Sequence, residues 1–226
     1  MKYLVNKINI HPLFVVLAII MVITGNSLPF FTYILVLLIH ETTHAVVAAW
    51  FGYKLQNLTF MPQGAMLDAS EQFKKPIHEV VVALSAPIVN ILIAFIFIGI
   101  WWLIPESYIL TEQFVHANIF IAVFNLLPIL PLDGGRTLLA ICSHHKKRKL
   151  GVILTTVFAI ITSVVLLILF VLSFWGSINF TFIIMAIFLL SGQFLYEKRN
   201  AYFYDYKFNE IIKILEKRDL GKKIHS

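Results

Sequence analysis

The sequence predicts an all-α polytopic membrane protein of about six transmembrane helices, with a short β-like hairpin between helices 2 and 3. Composition is the first observation. Hydrophobic residues make up 59% of the 226 residues and charged residues 13%, against about 45–50% and about 25% in soluble domains. Mean hydropathy is +0.85. The second observation is the placement of the basic residues. They fall in short stretches between apolar runs, which is the pattern of membrane topology rather than of nucleic-acid binding. A single Cys142 permits no internal disulfide.

A membrane helix needs roughly 20 apolar residues. The first run, Ile10–Gly25, is short and follows Lys2 and Lys7. No small-x-small cleavage site precedes Pro29 and further spans follow, so it reads as a retained helix. The second span is Leu28–Phe51, followed by the polar stretch Gly52–His78. There Pro62 and Gly64 interrupt any helix, and Leu58–Phe60 and Ala65–Leu67 read as short strands of a hairpin. The remaining spans are Glu79–Ile104, Phe114–Cys142, Leu150–Phe174 and Phe180–Tyr196. Together they predict a six-helix domain over 1–196. The basic tail 197–226 carries Ile211, Ile212, Ile214 and Leu215 among charges, the pattern of a cytosolic amphipathic helix.

Orientation follows from the lysines and arginines. All but Arg136 lie in 1–9, 52–78, 143–149 and 197–226, and none lies in Asn26–Ser27, Pro105–Gln113 or Ser173–Asn179. The positive-inside rule therefore puts both termini in the cytosol.

The second span carries His40-Glu41-Thr42-Thr43-His44. Ionisable groups in a span are costly unless they face a cavity, a partner or a metal. Residues four apart share one helix face, so His40 and His44 suit two ligands of one tetrahedral zinc. Glu41 stands beside them, within reach of a water in the open fourth position. This is the H-E-x-x-H pattern of metallopeptidases. Val47 and Trp50 replace the Gly and His of its soluble extension, so the third ligand lies elsewhere. Asp133 is the acidic residue that the fourth span offers, in a segment broken by Pro128, Pro131, Gly134 and Gly135. Capping a restarted helix, or pairing with Arg136, is its alternative role.

With Asn125…Pro128…Leu132-Asp133-Gly134-Gly135 beside the His40–His44 motif, the chain resembles the site-2 protease family of intramembrane zinc metalloproteases. The resemblance implies that His40, His44 and Asp133 hold one Zn2+ and that Glu41 is catalytic. It also implies supporting or substrate-binding roles for Asn90, in Ala86-Pro87-Ile-Val-Asn90, and for Asn125, and a hairpin dipping into the membrane. Gln63 and Gly64 at the tip of that hairpin would approach substrate, which its edge would hold as an added strand. Thr43 stands where members usually have Gly.

Within the family the chain is most similar to the sporulation branch. That implies a membrane-associated sigma-factor precursor as substrate and inhibitory membrane proteins as partners. It also implies residence in the bacterial cell membrane or the membrane around the forespore. The nucleotide-sensing domain of that branch has no counterpart before Ser226. The runner-up substrates are an anti-sigma factor and a signal-peptide remnant. A metal or proton transporter is the alternative of another class.

Overall fold

The computed structural model describes residues 7–10, 12–53, 55–61, 64–69, 73, 75–176 and 178–196. The expected tail 197–226 lies outside them, as does Gln63. The fold is almost entirely helical. Its elements are β1 (Lys7–Ile10), α1 (Pro12–Ile23), α2 (Ser27–Trp50), β2 (Leu55–Met61), β3 (Gly64–Ala69), α3 (Pro76–Leu103), α4 (Ser107–Asn125), α5 (Asp133–His144), α6 (Arg148–Leu172) and α7 (Thr181–Tyr196). Among the described residues three helices are long and apolar enough to cross a membrane, namely Ser27–Trp50, Pro76–Leu103 and Arg148–Trp175. The helix Thr181–Tyr196 is apolar but shorter. The chain is a membrane protein.

Helix α2 ends in a Schellman turn. Gly52 takes φ 80°, a left-handed conformation open to glycine. The Tyr53 amide then donates to the Ala48 carbonyl and the Gly52 amide to that of Ala49. Tyr53 packs with Ala45, Ala48 and Val82, which ties the end of α2 to the start of α3. Helix α3 opens on Pro76, whose missing N–H costs nothing in a first turn. Its buried face is a stripe of small residues around an amide: Ala83, Ala86, Asn90 and Ala94. Small residues let neighbouring helix backbones approach closely. On its other side, α2 packs against α4 through Val36, Ala117 and Ile121.

The fourth span departs from expectation. Instead of one segment from Phe114 to Cys142 there are two helices, α4 and α5, separated by 126–132. Pro128 and Pro131 have no amide hydrogen to continue a helical ladder. Short bonds from the Ile129 amide to the Leu127 carbonyl and from the Leu132 amide to the Ile129 carbonyl close the break. Ile129 and Leu130 are fully buried, so this non-helical backbone is sheltered by protein. The two glycines that follow are forced by close approach. A Cβ on Gly134 would strike the Leu126 carbonyl oxygen, and one on Gly135 the Ile129 carbonyl carbon.

Helix α4 also begins earlier than expected, inside the stretch read as an outside loop. Thr111 makes this possible, since its hydroxyl donates to the Ser107 carbonyl and accepts from Trp101 Nε1.

The strands form one sheet in the order β1-β2-β3. β1 runs parallel to β2, with Ile8 opposite Leu58. β2 runs antiparallel to β3, with Leu58 opposite Leu67. The chain divides into two units between Phe158 and Ala159, within α6. The first unit holds all the elements from β1 to α5. In the second, the Ser163 hydroxyl donates to the Ala186 carbonyl, joining α6 to α7.

Candidate metal centre

His40 and His44 project from one face of α2 and are buried. Their rings stand 87° apart, with centroids separated by 4.8 Å. Each Nε2 lies 3.0 Å from the same atom, Asp133 Oδ2. Asp133 is the first residue of α5, set down by the proline break and held by the tight Gly134-Gly135 turn behind it.

The far nitrogens of the two rings decide what these atoms can do. His44 Nδ1 is 2.8 Å from the Val82 carbonyl oxygen. A carbonyl only accepts, so Nδ1 carries the hydrogen and Nε2 of the neutral ring keeps a lone pair. His40 Nδ1 is 2.9 Å from Asn90 Oδ1. Asn90 Nδ2 donates to Asn118 Oδ1 at 2.9 Å, and Asn118 Nδ2 donates to the Phe114 carbonyl at 2.8 Å. His40 Nδ1 therefore also donates, and its Nε2 also keeps a lone pair.

Two nitrogen lone pairs and a carboxylate oxygen thus converge, all within 4.8 Å of one another. They repel unless a cation lies among them. Tetrahedral zinc with ligands at about 2.0–2.1 Å holds its donors roughly 3.3 Å apart. The 3.0 Å separations are close to that, and two imidazoles with one carboxylate are zinc's usual donor types. The residues fit one zinc ion.

The second oxygen of Asp133 has another partner. Oδ1 is 3.5 Å from Arg136 Nη1, while Arg136 Nε is 3.9 Å from Glu79 Oε1 on α3. Arg136 thereby turns Oδ1 away and leaves Oδ2 to the imidazoles. Glu41 follows His40 on α2, half-buried, about 100° around the helix.

Other candidate residues stand apart. Asn125 donates to the Ile121 carbonyl of its own helix. Gly64 opens β3 opposite Met61. Asn118 was not among the residues singled out in the sequence. The available signal was an amide inside the apolar run Phe114–Phe124, where a polar group needs a partner on another helix.

Two histidines of an H-E-x-x-H helix and an aspartate of α5 thus form a zinc-fitting group in a membrane protein. The family model for peptidase family M50 matches residues 30–117 and 107–172. The chain belongs to this family, the site-2 protease family.

Stage IV sporulation protein FB of Bacillus subtilis is 32% identical over 146 residues, which cover 63% of this chain and 50% of that protein. A zinc metalloprotease of Methanocaldococcus jannaschii is 27% identical over 199 residues, covering 82% of this chain and 56% of that one. The chain thus spans about half the length of these relatives. The solved site-2 protease of the same archaeon superposes with a TM-score of 0.59 at 23% identity, over 83% of this chain and 89% of that one. That likeness shows the fold.

Proposed function

We propose that the chain is an intramembrane zinc endopeptidase that hydrolyses a peptide bond of a membrane-associated protein near the cytosolic face. The observation that carries this reading is the convergence of two lone-pair nitrogens of α2 on one oxygen of Asp133, with Glu41 next to them. His40, His44 and Asp133 are the ligands. Zinc held there supplies Lewis acidity, lowering the pKa of a water toward about 7 and polarising the scissile carbonyl. The Glu41 carboxylate takes the proton of the attacking water and returns it to the leaving amine. Val82 and Asn90 hold the imidazole tautomers. The buried surround keeps competing solvent away from these charges.

The finer reading continues from the family. Six spans over 1–196 make the protease domain, with both termini and the tail 197–226 in the cytosol. β3 stands at the edge of its sheet, which supports capture of an unwound substrate as an added strand near Gln63 and Gly64. A supporting or substrate-binding role for Asn125 belongs to the same reading. The relation to stage IV sporulation protein FB supports a sigma-factor precursor as substrate, inhibitory membrane proteins as partners and the forespore membrane as a location.

The test is Glu41→Gln, assayed for zinc content and for processing of a co-expressed membrane-tethered sigma-factor precursor. The variant keeps volume and hydrogen bonding but has no base. It should hold one zinc per chain and process below a tenth of wild type. Processing above that tenth overturns the assignment of Glu41.

A further inference from the structure

We infer that Asn118 is a positioning residue of the metal centre. Acting through Asn90, it fixes which nitrogen of His40 carries the proton and so keeps Nε2 free to bind metal. The inference rests on the zinc reading above.

An amide side chain is nearly symmetric in shape, but its oxygen accepts and its nitrogen donates. Left alone, Asn90 is free to present either end to His40 Nδ1. With Oδ1 presented, Nδ1 holds the hydrogen and Nε2 faces Asp133 with a lone pair. With Nδ2 presented, Nδ1 becomes the acceptor and the hydrogen moves to Nε2, where it blocks coordination. Asn118 removes the choice. Its own orientation is set by the Phe114 carbonyl, which accepts from Nδ2. That turns Asn118 Oδ1 toward α3, where it accepts from Asn90 Nδ2. Asn90 Oδ1 is then committed to His40.

The chain of donors runs one way, from His40 on α2 through α3 to a backbone carbonyl of α4. Both amides have 0% exposure, so bulk water does not satisfy a flipped one, and leaving a buried donor or acceptor unmet is unfavourable. His44 needs no such device, because its Nδ1 faces a backbone carbonyl that cannot turn over. The two imidazoles therefore have their tautomers set by different means, one by backbone and one by a pair of amides. Partners that orient a metal-bound histidine in this way typically alter metal affinity by about 10–100-fold.

The experiment titrates the purified full chain in detergent micelles with Zn2+ and with Co2+ against a competing chelator. Asn118→Leu keeps the number and branching of the heavy atoms but removes the acceptor, and should weaken both metals at least ten-fold. Asn118→Ala replaces it should the leucine variant not fold. Asn118→Asp, a neutral acid when buried, keeps an acceptor toward Asn90 and a donor toward Phe114, and should bind within three-fold of wild type. Asn90→Asp, a carboxylate because it pairs with the His40 N–H instead of a carbonyl, has two acceptor oxygens and offers His40 one whichever way it turns, so Asn118→Leu added to it should cost less than three-fold.

The inference is overturned if Asn118→Leu binds both metals like wild type. It is equally overturned if Asn118→Asp loses as much as Asn118→Leu, or if the ten-fold loss persists in the Asn90→Asp background, since either result reduces Asn118 to helix packing. Asp133→Ala separates this from the underlying reading. If that variant keeps tightly bound stoichiometric metal, the zinc reading fails. If it loses metal while Asn118→Leu does not, the inference about Asn118 alone fails.

Discussion

Gly135→Ala places a single methyl group where the structure has no room for one. Gly135 lies in the first turn of α5, two residues after Asp133. The new Cβ would overlap the Ile129 carbonyl and lie 2.6 Å from the Leu130 amide nitrogen. Both obstacles are backbone atoms of fully buried residues, so neither swings aside as a flexible side chain would. The first turn of α5 must retreat by something on the order of 1 Å, and overpacking of this kind costs about 1–3 kcal/mol. Asp133 travels with that turn, and its 3.0 Å approaches to both Nε2 atoms open. Metal–ligand distances tolerate only about ±0.2 Å, and a 1 Å misplacement costs roughly 10²-fold in rate. The expected result is at least a ten-fold loss of zinc affinity in a chelator competition, with processing down about 10²-fold. Gly99→Ala is the control. It lies within α3, and its Cβ would meet nothing within 4 Å, so zinc affinity should not change. A Gly135→Ala variant binding zinc within two-fold of wild type would refute the claim that this close approach positions Asp133.

Asp133→Ala should reduce bound zinc well below one per chain by metal analysis, together with loss of processing; full tight occupancy would place the third ligand elsewhere. Arg136→Ala should be milder, since its contacts with Asp133 and Glu79 are 3.5 Å and 3.9 Å and the side chain is a quarter exposed. A loss of up to about ten-fold in zinc affinity is expected, partly restored by Arg136→Lys, and a loss as complete as that of Asp133→Ala would contradict it. With the half-buried Cys142 replaced, a cysteine at the exposed Lys147 should react with an impermeant reagent only from the cytosolic side, and one at the exposed Glu106 only from the outside. The reverse pattern would invert the proposed topology.

Local sequence carries some of these features and not others. The four-residue spacing of His40 and His44 is a property of one helix, so their shared face is written in the chain. Pro128 and Pro131 announce a break, because no neighbour can supply an absent amide hydrogen. They do not say where the next helix restarts, which depends on Gly134 and Gly135 fitting under the Leu126 and Ile129 carbonyls. The start of α4 at Ser107 was hidden because hydropathy marks the apolar run, while a helix ends where its hydrogen bonds end. Strand β1 was missed for a related reason. Four residues, Lys7–Ile10, have no periodicity long enough to read, and they become a strand only through pairing with 57–60. Asn118 meets Asn90 across 28 residues of chain, a contact to which neither residue's neighbours point.

The order in which these groups appear along the chain has a consequence for biosynthesis. His40, Glu41 and His44 leave the ribosome together, but Asp133 follows His40 by 93 residues. At about 5–20 residues per second, that gap lasts roughly 5–20 s. The far-side acceptors come in between: first the Val82 carbonyl, then Asn90, then Asn118. The groups that orient the imidazoles are therefore synthesised before the carboxylate. The metal site is complete only once α5 has been made, and a chain interrupted earlier carries Glu41 without the full set of ligands it would work beside. Stalled synthesis thus leaves the His-His-Asp group incomplete.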